Sequence, residues 1–336
     1  MFYNFLINLN NMKYLKFVVF LLICALFVNG YAQKTPAKSI NAQQKVVRLT
    51  PAKTDTNDPN KKALNQFSKE QMFTPAPASS KPLTPDETRA KGFFNEGSKK
   101  GKAGDYNGAI VEFTKSLNLV KNPVTYVKRG YAYQMAGNFS AAIQDATEAL
   151  KLQPTLSLAN FVRGVSQYGK GEFKEAKADL DIYLKTNRNN AIAFNYMAAL
   201  SYMSQDYKAA LTNYDEVVKL DPKYPDIYTN RGMMRHILQD YKGAMQDCND
   251  ALKLNPKNAT AYNNRGGAYA MLKDYQAALD DFDKAINIDN KYADAYNSRG
   301  RVKQVLGDMD GACADWQSAY TNGLEDSKEL IVKYCK

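Results

Sequence analysis

The sequence predicts an all-α solenoid of seven antiparallel helix pairs closed by a C-terminal capping helix. Three observations carry that expectation. An Arg-Gly pair recurs as Arg129-Gly130, Arg163-Gly164, Arg231-Gly232, Arg265-Gly266 and Arg299-Gly300, always a whole number of 34-residue steps apart. A turn signal recurs with it at Gly104-Asp105-Tyr106, Gly137-Asn138-Phe139, Gly171-Glu172-Phe173, Gln205-Asp206-Tyr207, Gln239-Asp240-Tyr241, Lys273-Asp274-Tyr275 and Gly307-Asp308-Met309, first 33 and then 34 residues apart. No stretch reads as a strand. A fixed period of this length marks a repeat architecture, in which each unit buries its apolar face only against its neighbours.

The elements follow in order. Lys13 and Lys16 precede twelve apolar residues, Phe17 to Val28, and then Gly30-Tyr31-Ala32. A short apolar run between lysines and small residues is the pattern of a signal peptide cut before Gln33, and a membrane span needs about 20 apolar residues. Residues 1–32 are therefore expected to direct export, to the periplasm or the medium, with membrane contact only before cleavage. Residues 33–83 turn to Lys, Pro, Thr, Ala, Ser and Asn, a composition that cannot offset its ordering entropy, and are expected to be a disordered, extended linker. Thr84-Pro85-Asp86-Glu87 reads as a helix start, with Thr84 as cap and Pro85 in the first turn.

Within the repeats, Gly97, Gly130, Gly164, Ala198, Gly232, Gly266 and Gly300 stand in the first helix of each pair (helix A). Ala109, Ala142, Ala176, Ala210, Ala244, Ala278 and Ala312 stand just after the turn, in helix B. Small side chains at both places allow close approach of the two helices. An aromatic (Tyr126, Phe194, Tyr228, Tyr262, Tyr296) precedes the small residue, a large residue (Phe113, Tyr214, Phe282, Trp316) follows the alanine, and Pro154, Pro222 and Pro256 mark junctions. This register resembles the tetratricopeptide repeat over residues 84–322, leaving 323–336 as the capping helix. The resemblance implies a right-handed superhelix whose concave groove, lined by the A helices, binds peptides or protein surfaces.

Sixteen residues after each repeated arginine stands Asp145, Asp179, Asp247, Asp281 or Asp315, and the fourth unit loses both partners together, carrying Met197 and Asn213. Two places equidistant from a hairpin turn face each other, so an Arg-Asp pair is expected to join helix A to helix B within a unit. A pair across the unit boundary is the alternative. Unit one carries Glu96 and Glu112 instead, and those like charges suggest a looser amino-terminal cap.

The functional classes narrow accordingly. The net charge of +11 is concentrated in the tail, where residues 33–83 carry nine basic and three acidic side chains, so no basic stripe of the nucleic-acid-binding kind is expected on the folded part. His236, the one histidine, lacks a credible nucleophile, no metal-ligand spacing occurs, and neither enzyme activity nor a cofactor is expected. Cys313 and Cys335 are candidates for a bridge, with Cys248 buried and free.

By the family's convention the groove-facing places are aromatic in units two to four, among them Tyr131, Phe161, Tyr168 and Tyr202. Units five to seven offer Asn230, His236, Asn263, Asn264, Asn297 and Arg301. Amides on successive units can pair with both donors and acceptors of a peptide backbone. The tyrosines have a competing role as packing between A helices. The carboxylate clamp by which some family members hold acidic tails has no counterpart, since Phe94 and Ser98 stand where its first Lys and Asn belong. The expected function is a non-catalytic scaffold or assembly factor of the cell envelope with a protein or peptide partner. The alternative is a structural spacer or homo-oligomeric building block.

Overall fold

The computed structural model describes residues 72–74, 82–223 and 225–335, all within the larger of two compact units, Val46–Lys336. The expected signal segment and most of the expected linker lie outside the described residues. Fifteen helices follow one another from Pro85. The first three pairs are α1 (Pro85–Ala103) with α2 (Tyr106–Leu119), α3 (Pro123–Met135) with α4 (Phe139–Leu152), and α5 (Ser157–Lys170) with α6 (Phe173–Thr186). The next four are α7 (Ala191–Met203) with α8 (Tyr207–Leu220), α9 (Pro225–Ile237) with α10 (Tyr241–Leu254), α11 (Ala259–Met271) with α12 (Tyr275–Ile288), and α13 (Ala293–Leu306) with α14 (Met309–Thr321). A last helix, α15 (Ser327–Tyr334), packs on α14. Each helix contacts its hairpin partner and the next helix in the chain, so the described fold is an all-α repeat solenoid. Among the described residues no helix is long and apolar enough to cross a membrane.

Local chemistry explains the register. Thr84 opens α1 with a capping box, its Oγ1 accepting from Glu87 N at 3.2 Å while Glu87 Oε2 accepts from Thr84 N at 2.8 Å. At the hairpin turns one residue lies in the left-handed region, glycine in units one, two, three and seven but Gln205 (φ 61°), Gln239 (φ 66°) and Lys273 (φ 66°) in the others. The next residue caps helix B, as where Asp274 Oδ1 accepts from Ala277 N at 3.2 Å. One turn thus ends helix A and starts helix B, which is why the signal repeats so strictly.

The small residues do what their spacing suggests. A Cβ added to Gly130 would lie 3.2 Å from the Ala142 carbonyl oxygen, and one added to Gly300 would lie 3.1 Å from that of Ala312. The helix backbones therefore approach closely, and the large side chains of helix B fill the space between units. Phe113, Leu180, Cys248, Phe282 and Trp316 share one repeat place and are completely buried. Burying a side chain of this size stabilises by roughly 1.5–3 kcal/mol.

Two expectations are corrected here. Met72 and Phe73, in the stretch expected to be a solvated linker, are buried against units one and two. An apolar pair offset the ordering cost there, so composition averaged over fifty residues concealed a local exception. Unit one is also not loosened by like charges. Glu96 is exposed, whereas the buried Glu112 accepts from Lys100 Nζ at 2.8 Å and Lys115 Nζ at 3.2 Å.

At the other end Cys313 and Cys335 are bridged, and Cys248 is buried and free. Closing a loop of this length is worth about 3 kcal/mol by the chain-entropy argument. The bridge holds α15 over the last hairpin, where Tyr334 lies 5.8 Å from Trp316 and Ser327 is completely buried. Leu330 and Ile331 are half-buried beneath it, so the apolar end of the array is covered.

Candidate functional site

The repeated arginines are structural clips. Arg129, Arg163, Arg265 and Arg299 each present Nε and Nη2 to both carboxylate oxygens of the aspartate sixteen residues on, at 2.5–2.9 Å. Arg231 does the same to Asp247, with Nη2 at 2.5 Å. The pairing within units is therefore as expected, and among the described residues no repeated aspartate takes the arginine of the next unit instead. The third donor, Nη1, reaches helix B of the preceding unit, at Thr114 Oγ1 (3.0 Å), Asp215 Oδ1 (3.0 Å), Asn249 Oδ1 (2.6 Å) and Asp283 Oδ1 (2.5 Å). The guanidinium planes of Arg129, Arg231, Arg265 and Arg299 also lie 5.4–5.6 Å over Tyr126, Tyr228, Tyr262 and Tyr296. A guanidinium carries five donors in a rigid fork, so one side chain can bind two helices at once.

A second cation supports the clip in three units. Arg235 Nη1 and Lys303 Nζ stand 2.9 Å from Asp247 and Asp315, and Lys100 holds the same repeat place beside Glu112. Unit one therefore keeps this second cation although it lacks the first. Burial raises the Asp247 carboxyl above its ordinary range, against the opposing bonds and charge of Arg231. Complete burial likewise holds the Cys248 thiol protonated, far from the reactive thiolate range.

The ten groove candidates divide into two sets. Tyr131 and Phe161 are buried in helix packing, Phe161 with its ring 4.9 Å from Tyr183. Asn263 and Asn264 are also buried, with Asn263 Nδ2 donating to Asn264 Oδ1 at 3.4 Å. Asn297 is covered by α15, and its Oδ1 accepts from Ser327 Oγ at 3.5 Å. These three amides thus form no open ladder for a peptide, because neighbouring helices and the terminal cap close over them.

Tyr168, Tyr202, Asn230, His236 and Arg301 are only half-buried. Three of these share one repeat place, 34 residues apart, and each packs on the aromatic that opens its own helix B. The ring distances are 5.7 Å for Tyr168–Phe173, 6.0 Å for Tyr202–Tyr207 and 5.0 Å for His236–Tyr241. Burial brings His236 down to about 4, so the ring is neutral near pH 7, and its Nδ1 is buried with no partner among the described residues.

In unit one the same repeat place holds Gly101, and the missing ring is supplied by Phe73. The Phe73 ring lies 6.4 Å from Tyr106, 6.1 Å from Phe113 in a stacked arrangement, and 5.4 Å from Tyr131 edge-on. A Cβ on Gly101 would stand 2.6 Å from that ring. Beside it Lys128, 3% exposed, donates from Nζ to the main-chain oxygens of Met72 (2.6 Å) and Thr74 (2.8 Å), with Phe94 5.0 Å beneath. Burial, with a smaller push from Lys102, brings this ammonium down to about 8. The sequence carried signals for the pocket: a glycine where units three and four place tyrosine, and the pair Met72-Phe73 in a polar tail.

Comparison with known proteins names the repeat. Family models described as "Tetratricopeptide repeat" match residues 127–192 and 259–292, and one described as "TPR repeat" matches 199–236 and 232–273, all in register with the helix pairs. The helix pairs so matched, units two to six, are tetratricopeptide repeats. Small glutamine-rich tetratricopeptide repeat-containing protein 2 of Mycosarcoma maydis is 32% identical over 96 residues, 28% of this chain. Tetratricopeptide repeat protein 4 of Homo sapiens is 35% identical over 83 residues, 23% of this chain. The chain spans 27% of the first relative's length and 21% of the second's, so the likeness is one of repeats. Among solved structures, the C-terminal part of a TPR repeat-containing protein from Cytophaga hutchinsonii superposes with a TM-score of 0.55 at 18% identity, covering 71% of this chain and 98% of that one. YrrB, described as a TPR protein with an unusual peptide-binding site, gives 0.52 at 23% identity, covering 55% and 95%. At these identities the likeness is one of tetratricopeptide fold. A repeat fold of this kind is generally a non-catalytic interaction scaffold.

Proposed function

We propose that this protein is an exported interaction scaffold or assembly factor of the cell envelope, which holds an extended peptide or protein surface along the A-helix face of its central repeats. One observation carries the reading: Tyr168, Tyr202 and His236 stand at one repeat place in three successive units, half-buried and each braced by a second ring. Rigid aromatic anchors offer large contact area with little conformational entropy left to lose, which is the chemistry of interface hot spots. Asn230 lies on the same helix as His236 and adds an amide able both to donate and to accept. The bridge between Cys313 and Cys335 supports an oxidising compartment, and with it the signal-peptide reading of residues 1–32. The covered end at α15 weighs against end-to-end stacking of copies.

The test is crosslinked capture from the native envelope with the full exported chain, comparing it with a Tyr168→Ala/Tyr202→Ala variant of unchanged helical content. Capture should fall at least tenfold, since two truncated anchors at more than about 1 kcal/mol each exceed that factor. Capture that survives this variant but vanishes when residues 33–71 are removed would assign binding to the tail and overturn the groove reading.

A further inference from the structure

We infer that the first two repeats form a receptor pocket for an aromatic side chain flanked by two main-chain carbonyls, and that the chain's own Met72–Phe73–Thr74 occupies it in cis as a displaceable ligand. This rests on the reading of the A-helix face as a binding surface, and it names where one occupant sits and which chemistry it presents.

Three successive units carry their own ring at the place one turn after the recurring small residue of helix A, and that ring packs on the aromatic opening helix B. Unit one carries Gly101 there, and Tyr106 is met instead by Phe73 from outside the repeat. The pocket is thus the space left by an absent side chain, floored by Phe113, walled by Tyr106 and Tyr131, and filled by a ring that is completely buried. A ring supplied by a repeat's own helix is permanent. A ring supplied by a segment ahead of the array can leave and be replaced.

Lys128 is buried, pairs with no carboxylate among the described residues, and spends its donors on the Met72 and Thr74 carbonyls and, at 3.4 Å, on Thr74 Oγ1. The ammonium thus grips the main-chain oxygens on either side of Phe73. Main-chain carbonyls are common to every peptide. The site therefore reads one aromatic side chain and the two carbonyls that flank it, which another segment with an aromatic at that position satisfies equally. Ser98 adds a weak contact, its Oγ 3.4 Å from the Thr74 oxygen.

Thr74 stands eleven residues before Pro85, the first residue of α1. A ligand tethered so near its site competes at an effective concentration in the millimolar range for a short linker. With a micromolar intrinsic affinity of the docked segment itself, any free segment finds the pocket closed by a factor on the order of 10³. The cis segment is accordingly a gate on the amino-terminal end of the groove.

The experiment uses the full exported chain and, as probe, a fluorescent peptide of residues 66–78, followed by anisotropy. Phe73→Ala, which empties the pocket, should bind the probe at least tenfold more tightly than the parent chain. Phe73→Ala/Gly101→Ala, in which a methyl fills the space required by the ring, should lose that binding. Equal affinity of the parent and Phe73→Ala, or undiminished binding by the double variant, would overturn the proposal. Gly101→Ala alone provides a readout that does not depend on emptying the core, because alanine favours helix α1 over glycine. Chymotryptic cleavage after Phe73 should be at least tenfold faster in Gly101→Ala than in the parent, and an unchanged rate would refute the docking. A concentration-dependent dimer abolished by Phe73→Ala would place the segment on a second copy and overturn occupancy in cis. Loss of partner capture in the Tyr168/Tyr202 variant, with no probe binding to Phe73→Ala, would remove this pocket and leave the broader groove reading intact.

Discussion

Replacing Arg265 by alanine should destabilise the array by about 2–3 kcal/mol, and the structure accounts for the size. Arg265 places two donors on Asp281 at 2.6 and 2.8 Å and a third on Asn249 at 2.6 Å. Its removal strands an Asp281 side chain that is 3% exposed, with Lys284 at 3.5 Å as the remaining cation. Breaking a buried pair by deleting one partner costs about 3–5 kcal/mol. Here the arginine is 17% exposed and Lys284 can approach, which lowers the expected cost. Replacing Asp281 as well removes the stranded charge, so the double variant should recover part of the loss, with a coupling of about 1–2 kcal/mol. Arg265 and Asn249 should couple more weakly, near the 1 kcal/mol of an ordinary hydrogen bond strengthened by charge. Urea titrations followed by far-UV circular dichroism, together with the fluorescence of Trp316, give the four corners of each cycle. A coupling below about 0.5 kcal/mol between Arg265 and Asp281 would refute the clip as a source of stability.

Two further outcomes follow from the same geometry. Restoring the missing clip with Met197→Arg/Asn213→Asp, where Asp181 stands ready to take the third donor, should raise the thermal midpoint above that of either single variant, a non-additivity of about 1 kcal/mol. His236, brought down to about 4 by burial from an unfolded value near 6.5, binds fewer protons folded than unfolded in that interval. Its contribution is present above pH 6.5 and lost as pH falls toward 4, to a limit of about 3 kcal/mol. Asp145 and Asp247, raised by burial, act with the opposite sign just above their unfolded value. The decisive measurement is therefore the difference between the parent and His236→Gln across pH 4–6.5, which should be flat if His236 does not titrate.

What the sequence made legible was whatever recurs. The turn signal is readable because a left-handed residue and the N-cap of helix B lie side by side at every hairpin, and in six of the seven that N-cap is Asp or Asn with its side chain accepting from the first turn. The Gly-Ala crossing and the Arg-Asp pair are readable because each joins two helices at a fixed separation. Simultaneous binding of Arg265 to Asp281 and Asn249 was not, since the place of Asn249 holds Thr114, Thr147, Asp181, Asp215 and Asp283 in other units and so has no single residue type to read. Burial of Asn263 and Asn264 was hidden for another reason: register tells which face a residue is on but not how closely the flanking helices close over it. Asn297 was covered by a terminal helix outside the repeat. Phe73 was the hardest, because a single long-range contact has no period, and its only traces were Gly101 and an apolar pair.

The unit that lacks the clip shows what the clips are for. Between one hairpin and the next, coupling comes from apolar packing and from the third donor of the arginine. At the α4–α5 boundary Arg163 makes no bond to the preceding unit, but the apolar interface there is extensive. At the α6–α7 boundary the arginine donor is absent, and the apolar packing, carried by Tyr183, Met197, Leu200 and the Tyr168–Tyr196 ring pair at 5.2 Å, is the narrower source that remains. Met197 has no donor to offer, Asp181 pairs with Lys177 instead, Asn213 turns to the Ala209 carbonyl, and the interface is the least extensive between neighbouring hairpins. In a quasi-one-dimensional array the stability is a sum of unit terms and nearest-neighbour terms, so the weakest neighbour term sets where cooperativity breaks. Units one to three and four to seven should therefore separate in unfolding before either block divides further. Tyr168 lies just before that boundary and Tyr202 just after it, so the two anchors of the proposed binding face stand on opposite sides of the joint at which the array yields first.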